Sequence, residues 1–115
     1  MKFLLLICAT VFAVLSSSSC TVGTSVKADL DKAERLMNIA RDSSLAIITR
    51  LDRSKVKGKR GKAELALIHS IALDKNGIDI SSDSIIKPAL SYYSRKGSKE
   101  QKSKGYYYTA RIHEN

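Results

Sequence analysis

The chain has 115 residues, enough for one small domain. Its 20 Lys and Arg against 11 Asp and Glu give a formal charge of +9, which favours anionic partners: nucleic acid, membrane phosphate or acidic protein. Its 2 Cys, Cys8 and Cys20, both lie in the first 20 residues, so no cysteine pair is left to staple the rest of the chain and stability there must come from packing.

Met1-Lys2 is a short positive start, Phe3 to Leu15 is an apolar run too short to cross a bilayer comfortably as a helix, and Ser16 to Ser19 are small. This order of charged, apolar and small residues is the pattern of a secretory signal over residues 1–19; an uncleaved membrane anchor is the alternative. Cys20 comes directly after it and resembles the lipobox cysteine of bacterial lipoproteins, which is diacylated and becomes the new N-terminus. Ser17 stands where the lipobox usually has an aliphatic residue, so ordinary cleavage among the serines is the other reading. Cys8 would leave with the signal, and Cys20 would then be the lone thiol. Cleavage also removes Lys2 and no acid, leaving 19 basic against 11 acidic side chains, a net +8. An exported chain weighs against nucleic acid as the partner.

Residues 20–27 are small and polar and read as a tether. From Ala28 onward the apolar spacing predicts an all-α domain over residues 28–115 with about five helices. The first runs over Ala28 to Arg41, with Leu30, Ala33, Met37 and Ala40 on one face. The second runs over Ser44 to Leu51, with Leu45, Ile48 and Leu51 along one side. Arg53 to Lys62, holding Gly58 and Gly61, has no apolar period beyond Val56 and reads as a basic loop. The third helix spans Lys62 to Lys75, where Leu65, Ile68 and Ala72 recur at helical spacing and Asn76-Gly77 supplies the stop. Ser81, Ser82 and Asp83 are good N-cap residues for a fourth helix reaching Lys96, in which Pro88 predicts a kink or a late start. Gly97-Ser98 ends it, and Ser98 can cap a fifth helix carrying Tyr108 and Ile112 on one side and Tyr106, Ala110 and His113 on another. Gly105 weakens that helix by about 1 kcal/mol relative to Ala.

The order DSSLAIITRLD, KAELALIHSIALDKNGIDISSDSIIKPALSYY and YYYTARIHEN resembles the N-terminal region of bacterial envelope tetratricopeptide-repeat proteins. Asp42, Ser43, Ser44 and Leu45 match the helix that precedes the repeats; Lys75-Asn76, Ser82-Asp83-Ser84, Ala89 and Tyr92-Tyr93 match the turn, cap and paired tyrosines within them. The resemblance implies antiparallel helix pairs, with Ala72, Ala89 and Ala110 letting helices approach and Tyr93 and Tyr106 filling the wedges between them. It implies a binding role without a cofactor. The chain stops at His113-Glu114-Asn115 inside what resembles the first helix of another repeat, so the array reads as degenerate or truncated.

No catalytic or metal-ligating constellation stands out. His69 has Leu65 and Leu73 one turn away, not ligands, and reads as a packed histidine. Ser82-Asp83-Ser84 lacks a recognisable base and reads as a cap. Tyr106, Tyr107 and Tyr108 point in different directions on a helix and cannot make one platform. The expectation is a non-enzymatic protein-interaction module of the bacterial cell envelope, anchored to the membrane through Cys20 and facing the periplasm, or secreted there if Cys20 is not acylated. Tyr92, Tyr93, Tyr106, Tyr107 and Tyr108 are its candidate interaction residues, and the last helix is a candidate surface for self-association. The alternative is a binder of membrane phosphate or acidic glycan through the basic patch Arg53, Lys55, Lys57, Lys59, Arg60 and Lys62.

Overall fold

The computed structural model describes residues 22–114, so the signal segment and Cys20 lie outside the described residues. Among the described residues five α-helices follow one another: α1 (Val22–Leu36), α2 (Arg41–Arg50), α3 (Gly58–Lys75), α4 (Lys87–Lys96) and α5 (Lys99–Glu114). A single 3-10 turn, Arg53–Lys55, lies between α2 and α3. Among the described residues there is no strand, and consecutive helices fold back on one another as the all-α expectation required.

The central element is α3. One face joins Val26, Leu30 and Ala33 of α1, Met37 just after it, Ile48 of α2, and Leu51 and Val56 through Leu65, Ile68 and Ala72. The other face joins Ile86, Ala89 and Tyr93 around α4 and Ile112 of α5 through Ala63, Ala66 and Leu67. Ile71 packs against both clusters. A helix covered on two sides is apolar nearly all round, which explains why Leu65, Ala66, Leu67 and Ile68 are consecutive buried residues.

Several boundaries differ from the sequence reading, each for a physical reason. The first helix begins at Val22, inside the expected tether, because Val26 extends the stripe of Leu30, Ala33 and Met37 by one turn. It ends at Leu36 rather than Arg41, where the Leu36 carbonyl accepts from both Ile39 N (3.2 Å) and Ala40 N (2.7 Å) and closes a turn. The second helix starts at Arg41 rather than Ser44 and takes in Ser43 and Ser44. They lie in the first turn of α2, and the fully buried Ser44 hydroxyl donates to the Ala33 carbonyl at 2.7 Å where α1 and α2 cross. The basic loop is shorter than expected: Val56 is buried and pins it, and α3 starts at Gly58, whose φ of +73° suits the abrupt entry.

The stop after α3 is the one the residues announce. Gly77 takes φ +68°, its N–H donates to the Asp74 carbonyl and that of Ile78 to the Leu73 carbonyl, both at 3.0 Å, a Schellman motif. Asn76 adds a long-range tie, its Nδ2 donating to the Arg41 carbonyl at 2.9 Å. Ser82 and Asp83 do not cap α4. Ser82 closes a local turn with Ser84, and the helix starts late, at Lys87, leaving Pro88 in the first turn where its missing N–H costs little. Ser98 caps α5 in a reciprocal box: its Oγ accepts from Gln101 N (3.2 Å), while Gln101 Oε1 accepts from Ser98 N (2.9 Å).

Within α5 the packing residues differ from those the resemblance implies. Ala110 and Tyr106 are exposed, so neither lets α4 approach nor fills a wedge. Gly105 is the buried residue that faces Leu90 of α4. A Cβ there would stand 3.9 Å from Leu90, an ordinary contact, whereas a Cβ on Gly97 would lie 2.7 Å from the Tyr93 carbonyl oxygen. Gly105→Ala should therefore raise stability by about 0.5–1 kcal/mol through reduced backbone entropy. Gly97→Ala should lower it by about 1–3 kcal/mol. Urea unfolding of the two variants, shifting in opposite directions, checks the pair.

Candidate functional site

The first turns of α3 and the outer side of α4 enclose a groove of about 350 Å³ lined by Lys59, Lys62, Pro88, Ser91, Tyr92, Arg95 and Lys96. Its register follows from the packing beneath it. Lys59 and Lys62 are three apart and ride beside the buried Ala63 and Ala66; Pro88, Tyr92 and Arg95 recur along one side of α4 beside the buried Ala89. Those three alanines let the backbones come close, which brings the flanking cations to the same opening. Tyr92 forms one wall and is set at 73° to Tyr93, with ring centroids 5.6 Å apart.

The lining thus holds four cations and no carboxylate, and none of the four pairs with an acidic side chain among the described residues. Uncompensated like charges in a concavity focus positive potential and raise the local concentration of anions. The volume lies within the range of about 300–1,000 Å³ typical of ligand sites. Tyr92 and Pro88 add an apolar wall beside the charges, so the groove suits an anionic group attached to a less polar body.

Besides the predicted patch, the sequence holds a second basic run, Arg95, Lys96, Lys99, Lys102 and Lys104, and the fold joins part of each. Of the predicted patch, Lys59 and Lys62 enter this groove together with Arg95 and Lys96 of the later run. The other members go elsewhere. Lys55 and Lys57 flank Val26 and Leu30 at the start of α1. Arg60 faces a second hollow of about 280 Å³, where Lys27, Arg60 and Lys104 are balanced by Glu34, Glu64 and Glu100. Arg53 sets its Nη2 3.4 Å from His69 Nδ1.

The predicted tyrosine set is likewise divided. Tyr93 is buried in the second core cluster, with burial pushing its hydroxyl pKa up. Tyr92 lines the basic groove, and Tyr108 is half-buried against the same cluster. Tyr106 and Tyr107 are each 57% exposed on the outside of α5. The five therefore form no continuous surface.

His69 is half-buried, and desolvation followed by the Arg53 charge holds its pKa below the ordinary 6.5. A depressed histidine pKa means that the unfolded chain takes up the proton first, so the stabilisation is present above 6.5 and is lost as pH falls below that value. We expect the unfolding midpoint of the wild type to drop through that window more steeply than that of His69→Gln. Parallel denaturant curves across the window check it. Ser82, the other residue inviting a chemical reading, is exposed and bonded to Ser84 at 3.2 Å between the two hydroxyls. Among the described residues no group of three His, Cys, Asp or Glu could hold a metal ion, and no helix is long and apolar enough to cross a membrane.

The chain matches no protein-family model, no curated protein and no solved structure. The functional reading therefore rests on the groove itself.

Proposed function

We propose that this chain is a non-enzymatic binding module, a tetratricopeptide-like helical lipoprotein of the bacterial cell envelope, that takes an anionic ligand in the groove between α3 and α4. The observation that carries the ligand class is the convergence of Lys59, Lys62, Arg95 and Lys96 on one opening without an acidic neighbour. The anchor and the envelope location rest on the signal pattern and Cys20 in the sequence. The direct test is binding of inorganic polyphosphate, against a neutral polymer of similar size, measured by calorimetry over a range of salt. Affinity for polyphosphate alone, weakening as salt rises, supports the reading. No binding at low salt overturns it.

A second reading, attachment to a protein partner or to another copy, is favoured by the outer face of α5, where Tyr106, Tyr107 and Ala110 lie exposed together. Its test belongs at Tyr106 and Tyr107. Ile112 is 6% exposed and Tyr108 half-buried within the fold, so substitutions there would report on the core. Replacing both outer tyrosines by Glu should abolish any concentration-dependent mass in sedimentation.

A further inference from the structure

The basic groove sits at a particular end of the molecule. The opening turns of α1 pack there: Val26, Lys27 and Leu30 meet Lys55, Val56, Lys57 and Gly61, and Lys27 pairs with Glu64. The first turn of α3 and the last turn of α4 bring Lys59, Lys62, Arg95 and Lys96 to the same end. The opposite end is tied by different links, Asn76 to the Arg41 carbonyl and Asp74 to Arg111. The chain thus enters the fold beside its most concentrated positive charge. Lys55, Lys57, Lys59, Lys62, Arg95 and Lys96 are all exposed there. Of the acids near it, Asp31 and Glu64 share Lys27 and Glu100 pairs with Lys104, while Asp29 and Asp52 keep their charge away from the groove lining.

Resting on the anion-binding reading above, we infer that this end seats on an anionic lipid surface, with headgroup phosphates entering the groove between α3 and α4. The geometry of attachment points to lipid over a soluble polyanion or an acidic protein. Cys20 precedes Val22, the first residue of α1, by two positions. Two residues span at most about 7 Å. An acylated Cys20 would therefore hold the start of α1 within the Debye length of about 10 Å at 0.1 M salt, where surface charge is still felt. A retained apolar N-terminal segment would place the bilayer at the same end. The attachment removes the search for the surface, and the cations set which way the domain stands: α1 rising from the membrane, and the turns around Ile39 and Ile78 pointing away.

The test uses the full-length protein reconstituted into vesicles of phosphatidylcholine alone or mixed with phosphatidylglycerol, probed by amine-reactive labelling and mass spectrometry. Seating predicts that Lys59, Lys62 and Lys96 label several-fold more slowly on the anionic vesicles than on the neutral ones. High salt should reverse that protection, and the rate at Lys75, at the opposite end, should stay unchanged. Equal labelling of all four lysines on both vesicles overturns the inference. If polyphosphate or an acidic peptide protects Lys59 and Lys62 while anionic vesicles do not, the lipid seat is wrong and the anion-binding groove survives. If neither vesicle nor polyphosphate protects them, both readings fail together.

Discussion

Replacing Ile48 or Ile86 with Ala is expected to lower the unfolding free energy by about 2–5 kcal/mol in each case, and to leave a single unfolding transition. Both side chains are 0% exposed, one in each core cluster. A domain of this size has about 5–15 kcal/mol in total, so either loss is a large fraction. The single transition follows from α3, which contributes to both clusters, and from Ile71, which touches both. Neither α1–α2 nor α4–α5 can melt without stripping one side of that helix and exposing its apolar residues to water. Urea unfolding followed by far-UV circular dichroism and by tyrosine fluorescence measures the outcome. Two separate transitions in Ile86→Ala, the second at the wild-type midpoint, would mean that the halves fold independently and that α3 belongs to only one of them.

The number of helices was legible because apolar spacing is dictated by burial. Leu65, Ile68 and Ala72 had to share a face, and Asn76-Gly77 had to end it. The boundaries were less legible because tertiary contacts set them. Val26 is one apolar residue in a polar stretch, and only the presence of α3 beside it makes another helical turn worth forming. Ser44 reads as the start of its helix, and only the fold pairs its hydroxyl with the Ala33 carbonyl. Gly105 reads as a weak point by propensity, and the 3.9 Å that a Cβ would keep from Leu90 leaves that reading in place. A buried hydroxyl carries no periodic signal, so local rules misjudge it.

The candidate site was legible as charge and illegible as a place. Each basic run reads as a solvated segment when taken alone. Which of its members converge depends on the helical phase of Lys59 and Lys62, on α4 starting at Lys87, and on the alanine seam that sets the register between α3 and α4. A usable signal was present: Lys59, Lys62 and Ala66 share one helical stripe, as do Pro88, Tyr92 and Arg95. It gains meaning only once the two stripes are known to face each other.

If location rather than net charge governs binding, two variants of equal charge will behave differently. The first replaces Lys59, Lys62, Arg95 and Lys96 by Gln. The second replaces Lys32, Arg35, Arg41 and Lys75, which are exposed outside the groove. Each removes four charges from a chain of formal charge +9. A cation close to an anionic surface contributes roughly 1 kcal/mol. Loss of the groove set should then weaken binding to anionic vesicles by about 4 kcal/mol, close to a thousandfold. The distant set acts only through a field screened over about 10 Å at 0.1 M salt, and its loss should cost less than about tenfold. Folding does not confound the comparison. Exposed substitutions away from special features usually change stability by no more than about 0.5 kcal/mol, and removing neighbouring like charges relieves repulsion. Equal weakening by the two variants would show that the excess charge acts diffusely, and the groove would lose its claim to be the site.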